Sequence, residues 1–224
     1  MKKELRIATY NVRHGGDVAA NIGCIGKMLA DAHVDVAGLQ EIDVGTQRMN
    51  GANVLAEIAK GGSYPYTYFA KAMNFDGGGY GVGIVSRYPI LCAQTVPLFS
   101  GTEEPRVLAC AVIKTEWGSI DFFNTHTSYE SKELRARQLQ EVGVRLATSD
   151  CFVLMGDFNT ADAKEFSVFP PCYASNCNEF GSFYGTGEGI DNIFVAQTFR
   201  ILQSTMPTVP YSDHYPILSV VEKR

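Results

Sequence analysis

The chain has 224 residues, 46% hydrophobic and 19% charged, which excludes a disulfide-stapled miniprotein, two ordinary catalytic domains and disorder over most of the length. A formal net charge of −5 argues against gripping long nucleic acid through its phosphates, because that binding needs a basic face. The 22 glycines imply many tight turns rather than long helices.

The apolar run after Met1-Lys2-Lys3-Glu4 is too short for a signal-peptide core, so no leader is expected in the sequence as it stands; one removed beforehand stays open. No stretch approaches the roughly 20 apolar residues of a membrane span. Residues 5–12 read as a strand. Val18, Ile22, Ile25, Leu29 and Ala32 recur on one helical stripe, which predicts a helix over 17–32 with Asp17 as its N-cap. Residues 34–39 form a short buried strand ending at Gln40-Glu41, and 51–60 a second helix. Strands follow at 65–70, 80–86, 90–98, 106–115 and 119–125, punctuated by Pro89 and the Trp117-Gly118 turn. Residues 131–147 read as a helix with Leu134, Leu139, Val142 and Leu146 inward. Cys151–Met155 is a buried strand stopped by Gly156-Asp157, residues 161–189 are irregular, and strands near 190–196 and 215–221 close the chain. The six cysteines (Cys24, Cys92, Cys110, Cys151, Cys172 and Cys177) show no C-x-x-C spacing. They read as free, mostly buried thiols of a reducing compartment, the cytoplasm, with a Cys172–Cys177 disulfide as the minority reading.

The sequence carries a weak internal echo. A strand ending at Asn11, a helix and a strand reaching Glu41 resemble a strand with Asn124-x-His126, a helix and a strand ending at Asp157. Two such units suggest two sheets packed face to face with helices outside, in one domain spanning 1–224. Polar residues gather at the strand ends, where open α/β sheets place their sites: Asn11, Glu41, His126, Asp157, Asn159, Asp191, Asp213 and His214. Burying so many polar groups costs free energy unless they pair or bind a cation. Carboxylates and an amide without cysteine suit a hard ion, Mg2+ or Mn2+. Two histidines add groups that titrate near neutrality.

Seven motifs stand in a fixed order: Thr9-Tyr10-Asn11, Gln40-Glu41, Ser86-Arg87-Tyr88-Pro89, Asn124-Thr125-His126, Gly156-Asp157-Phe158-Asn159, Ile190-Asp191-Asn192-Ile193-Phe194 and Ser212-Asp213-His214-Tyr215-Pro216. In that order the chain resembles the endonuclease/exonuclease/phosphatase superfamily from residue 7 to 218. The group includes pancreatic-type DNases, abasic-site endonucleases, neutral sphingomyelinases and inositol-polyphosphate 5-phosphatases. The resemblance implies a four-layer α/β sandwich of two mixed, mostly antiparallel sheets with helices on both outer faces. It implies that Glu41 is the main metal ligand, with Asn11 and Asp213 beside it. Asp157 would orient and deprotonate the attacking water, and Asn159 would donate to a phosphoryl oxygen. His214, oriented by Asp191, would contact the phosphate, and His126 would act opposite, on the phosphate or the leaving oxygen. In-line attack on an anionic phosphorus needs charge neutralisation, a positioned water and leaving-group stabilisation.

Each assignment has a structural competitor. Asn11 can cap a turn, Asp191 a strand start, and Asp157 can be a turn carboxylate. Arg106, at a strand start, suits a phosphate contact or a salt bridge equally. Arg48 reads as solvent-facing before it reads as substrate-binding. His14 reaches a cleft in the minority reading, and His33 reads as surface. Tyr66, Tyr68, Phe69, Phe75 and Tyr80 fit alternating strand burial better than an aromatic wall. Val82 stands where many relatives carry a polar residue, which leaves the partner orienting His126 open. The expected activity is Mg2+-dependent hydrolysis of a phosphodiester or phosphomonoester in a small metabolite, lipid headgroup or nucleotide, by a monomer. The alternatives are a DNA or RNA nuclease, for which Arg48, Lys71, Arg87, Arg106, Lys132 and Arg135 would form a basic strip, and, remotely, an inactive binding module.

Overall fold

The computed structural model describes residues 4–224; Met1–Lys3, where the leader reading begins, lie outside the described residues. In chain order the elements are β1 (Leu5–Asn11), α1 (Gly23–Asp31), β2 (Val36–Val44), α2 (Val54–Gly62), β3 (Tyr66–Phe75), β4 (Gly78–Ser86), β5 (Ile90–Leu98), β6 (Arg106–Thr115), β7 (Gly118–His126), α3 (Lys132–Leu146), β8 (Phe152–Asp157), β9 (Cys172–Ala174), β10 (Asp191–Ala196), β11 (Phe199–Thr205) and β12 (Ile217–Lys223). Among the described residues they build two mixed six-stranded sheets, ordered β11-β12-β1-β2-β4-β3 and β5-β6-β7-β8-β10-β9. Each sheet holds one parallel pair, β1/β2 and β7/β8, and is otherwise antiparallel.

The sheets pack against each other and carry helices on their outer faces, an α/β sandwich. Ile7, Val36 and Ile84 of the first sheet join Leu108, Phe122, Leu154 and Ile193 of the second in one buried cluster, which α3 extends with Leu139, Val142 and Leu146. A second cluster buries Ile25, Leu29 and Ile58 of α1 and α2 against Ala37 and Leu39. Every residue of β8 and β10 is buried, because these strands are covered on both faces and read as continuous apolar runs. No helix among the described residues is long and apolar enough to cross a membrane.

Several elements differ from the sequence expectations. The helix over 17–32 is shorter, because His14 and Gly15 take positive φ and Val18 is non-helical at φ −132°, ψ 28°, leaving 3-10 turns over Arg13–Asn21 before α1. Asp17 caps nothing and pairs with Arg13 at 3.3 Å. In α3, Leu134 is half-buried, whereas Arg135 and Gln138 are buried. Arg135 is drawn inward by Glu165, 2.9 Å away. The irregular 161–189 segment contains the short β9, and β11 escapes the sequence reading because as an edge strand it is largely exposed. All six cysteines are free; Cys92 and Cys177 are exposed and the other four half-buried, so the expected burial fails although the free-thiol reading stands.

Beta-strand 2 does not stop at Leu39. It continues to Val44 through a bulge between Leu39 and Ile42 in its pairing with β4, and Glu41 sits there at φ 58°. A bulge re-aims one side chain out of the ladder, and here it turns Glu41 toward the strand ends. A polar bridge between the sheets lies beneath it. Gln40 Nε2 donates to Asn124 Oδ1 at 2.6 Å and to Thr9 Oγ1 at 3.0 Å. Asn124 Nδ2 donates to the Leu39 and Gly83 carbonyls at 3.0 and 2.8 Å. Gly38 makes the crossing possible, because a Cβ there would stand 2.7 Å from Asn124 Oδ1.

Candidate active site

Strand register assembles the site. Across β7 and β8, His126 pairs with Asp157; across β8 and β10, Asp157 pairs with Asp191. In the facing sheet, Asn11 pairs with Gln40, which lies inside the bulge beside Glu41. The Ser212 hydroxyl then donates to the Asn11 carbonyl at 2.8 Å, which holds the last motif against the end of β1. A cleft of about 610 Å³ opens here, lined by Asn11, Glu41, His126, Asp157, Asn159, Asp213 and His214 together with Arg48 and Arg106. Asp191 lies behind His214 and is fully buried.

Asp157 Oδ2 is the centre of the arrangement. Asn11 Nδ2 donates to it at 2.9 Å, His126 Nε2 stands 3.5 Å away and His214 Nε2 3.7 Å. The other oxygen accepts the Asn159 backbone N–H at 3.0 Å. Burial, reinforced by the Asp191 charge, raises the Asp157 pKa to about 7 despite His214 and these donors, so this carboxylate takes up a proton near neutrality. Burial works against a charged His214. Asp191, whose Oδ2 lies 2.8 Å from Nδ1, outweighs it with Asp157 and Asp213 and raises the ring to about 10. His126 goes the other way: burial, then Arg106 and His214, hold it well below its usual range, and it is neutral. The two histidines are thus set apart by environment, one charged and one not.

Asn159 sits at φ 50°, with Nδ2 donating to the Thr127 carbonyl at 2.8 Å; its second amide hydrogen is left for another acceptor. Left-handed backbone at Glu41 and Asn159 stores strain where the side chains must point into the cleft.

The donor set fits a divalent cation. Asn11 Nδ2 also donates to Glu41 Oε1 at 3.0 Å, so one amide clasps two carboxylates, and Asp191 Oδ1 is buried without a hydrogen-bond partner. Asn11 presents its N–H to them, while its oxygen accepts the Arg13 N–H at 3.0 Å. Asp213 is more open, its side chain 36% exposed, with Arg13 Nε 3.6 Å away. Asp157, Asp191 and His214 also bring one ligand atom each within 4.8 Å of one another, but the His214 imidazole is committed to Asp191. The oxygen groups around Glu41 therefore suit a hard ion better.

Arg48 is exposed, as expected, but it also lines the cleft, forms a two-point pair with buried Asp43, at 2.6 and 2.8 Å, and places its guanidinium 4.6 Å from the Phe75 ring centroid. Arg106 is buried and lies 2.9 Å from Glu104 and 4.0 Å from Glu130. His14 is half-buried and packs against Gly16, outside the residues lining the cleft. His33 is exposed, as expected. Of the aromatic residues, Phe75 and Tyr80 do line the cleft. Of the six cations of the expected basic strip, Arg48 and Arg106 line the cleft and the other four do not. Arg87 donates to the Val34 carbonyl and covers the Tyr64 ring, Lys71 binds Asn74, and Lys132 and Arg135 engage Asp162 and Glu165. Sequence reasoning missed Glu104, Tyr129, Phe183 and Glu188, all on the cleft. Phe183 packs its ring 4.9 Å from that of His214. Only the Pro105-Arg106 strand start flagged the neighbourhood of Glu104.

A model of the endonuclease/exonuclease/phosphatase family matches residues 8–214. The chain belongs to this family. Solved structures agree in fold. An endonuclease/exonuclease/phosphatase from Beutenbergia cavernae superposes with a TM-score of 0.81 at 18% identity, covering 99% of this chain and 72% of the other. The mannosyl-6-phosphatase Bt3783 of Bacteroides thetaiotaomicron gives 0.74 at 18% identity over 97% and 99%. Truncated Caenorhabditis elegans TDP2 gives 0.74 at 16% identity over 98% and 97%. No curated protein matches the sequence. Family membership makes phosphoester hydrolysis the chemistry against which the cleft is read.

Proposed function

We propose that the chain is a Mg2+- or Mn2+-dependent phosphoesterase that hydrolyses a small phosphate ester by in-line attack of water, working as one catalytic unit over 1–224 and as a cytoplasmic monomer. The observation that carries this is the single oxygen, Asp157 Oδ2, within 2.9–3.7 Å of Asn11, His126 and His214 on a cleft that Glu41 and Asp213 also line. Glu41 and Asp213 would hold the cation through their carboxylate oxygens, while Asn11 turns its N–H to Glu41 and Asp157; the cation when bound neutralises phosphoryl charge and acidifies water.

Asp157 accepts a proton as the water oxygen bonds to phosphorus. The charged His214 ring donates to a phosphoryl oxygen, held in orientation by Asp191. Asn159 donates its free amide hydrogen to another. The bond to the leaving oxygen breaks, and the proton taken by Asp157 passes through His126 to that oxygen, giving the free alcohol and phosphate. That only Arg48 and Arg106 of the expected basic strip line the cleft favours a small substrate over duplex nucleic acid. The likeness to a protein described as a mannosyl-6-phosphatase points the same way. A panel of p-nitrophenyl phosphate, bis-p-nitrophenyl phosphate, hexose phosphates and plasmid DNA, with and without EDTA, tests the reading. Chelator-sensitive hydrolysis of small esters is expected. Absence of hydrolysis throughout the panel, or efficient plasmid nicking abolished by Asp157→Asn, overturns it.

A further inference from the structure

A second polar cluster stands beside His126, with Glu104 and Arg106 on the cleft and Glu130 in contact with Arg106 outside the lining residues. Glu104, two residues before β6 begins, and Glu130, four residues after His126, share the Arg106 guanidinium. The Arg106 side chain is 3% exposed, yet its Nε has no hydrogen-bond partner. Glu130 Oε2 has none either, and Glu104 Oε1, although 2.9 Å from an Arg106 terminal nitrogen, makes no aligned hydrogen bond. Buried donors and acceptors left unmade are costly, so the cluster is incomplete as it stands.

The missing partner has to satisfy both kinds of atom. A phosphate or carboxylate only accepts, and an ammonium only donates; a hydroxyl gives a proton to a glutamate oxygen and takes one from Nε. Two carboxylates against one guanidinium leave the cluster negative, which disfavours a second anionic group. The other arginine on the cleft, Arg48, is already held at two points by Asp43. Tyr129, 68% exposed, lines the same cleft and offers a flat ring face to an alicyclic C–H surface.

The geometry points to a specificity subsite in which Glu104 and Arg106, with Glu130 positioning the guanidinium, read hydroxyls on an uncharged sugar or polyol that carries the phosphate. This deepens the phosphoesterase reading and rests on it. Arg106 thereby recognises the organic part of the substrate and not the phosphate.

The test compares a hexose 6-phosphate with cyclohexylmethyl phosphate, which keeps the ring and the primary leaving oxygen but no hydroxyls, and with a hexose 1,6-bisphosphate and a nucleoside monophosphate. For the wild-type chain, kcat/KM for the hexose 6-phosphate should exceed that for cyclohexylmethyl phosphate by about 100-fold, because a site built for hydroxyls rejects analogues that lack them. The bisphosphate and the nucleotide should be poorer than the hexose 6-phosphate. Glu104→Gln should lower the hexose-to-cyclohexylmethyl ratio by about tenfold, chiefly through KM, since a charge-assisted hydrogen bond becomes a neutral one. If that variant does not fold, Glu130→Gln and the wild-type comparison decide. Equal wild-type rates for ring analogues, or preference for the bisphosphate or nucleotide, overturn the subsite. So does a variant that lowers Tm with its ratio unchanged, since the cluster is then structural. Hydrolysis of none of these esters, p-nitrophenyl phosphate included, instead defeats the phosphoesterase reading on which the subsite rests.

Discussion

The β1–α1–β2 and β7–α3–β8 units are two versions of one device. Each is a parallel strand pair at the centre of a six-stranded sheet, and the two sheet orders are identical once strand numbers are shifted by six around the chain. Their site ends differ. In the first unit the ladder bulges, Glu41 adopts φ 58°, and it is half-buried, with half-buried Asp213 lining the same cleft. In the second the ladder runs straight to Asp157, which is 2% exposed and enclosed by Asp191, His126 and His214. The same supersecondary unit delivers a carboxylate to the sheet end in both, one partly exposed and one buried. Burial pushes Asp157 toward protonation, which suits it to the proton-handling role proposed for it, while the more accessible Glu41 and Asp213 are the ligands proposed for the cation.

Breaking the second unit should have the largest effect. Asp157→Asn should lower kcat by about 10³-fold, within the range of general-base removal, in steady-state assays on a protein shown to be folded by circular dichroism. His126→Ala and His214→Ala should each cost about 10²-fold. The double variant should lose less than the product of the two, as expected for groups acting in one transition state. A fully multiplicative loss would separate their roles.

Breaking the first unit should read out differently. Glu41→Gln should weaken Mg2+ binding at least about tenfold by calorimetry, as removal of a charged oxygen ligand does, with activity partly restored at high Mg2+. Asp157→Asn should leave a measurable Mg2+ isotherm. If both variants affect the cation alike, the division between the units fails. The smallest effect tests what joins them. Asn124→Ala removes the polar bridge, taking a donor from the Leu39 and Gly83 carbonyls and an acceptor from Gln40, which keeps Thr9, a loss of about 1–3 kcal/mol. Urea unfolding should show destabilisation of that order, with the surviving folded protein still active.

The echo of strand, helix and strand was legible because buried parallel strands and an amphipathic helix leave strong periodic patterns. It foretold two facing sheets. What it obscured is that Asn11 and Asn124 are not equivalent: Asn11 faces the cleft carboxylates, while Asn124 is fully buried and serves the core. Nothing local separates two asparagines at strand ends; the packing of the facing sheet does. The partners of Arg48 and Arg106 were hidden for the same reason. Asp43, Glu104 and Glu130 are apolar-flanked or loop residues whose side chains meet the guanidinium only after folding.

By itself the sequence determined the sheet sandwich, the order of the motif residues and the oxygen-rich character of the site, because apolar periodicity and residue chemistry are local properties of the chain. Only the tertiary structure decided which carboxylate is wet and which is dry, which histidine carries charge, and that both arginines on the cleft are already paired. Those outcomes depend on burial and on distances between residues as far apart as Asn11 and Asp157, and solvation and Coulomb energy are set by three-dimensional neighbours rather than by position along the chain.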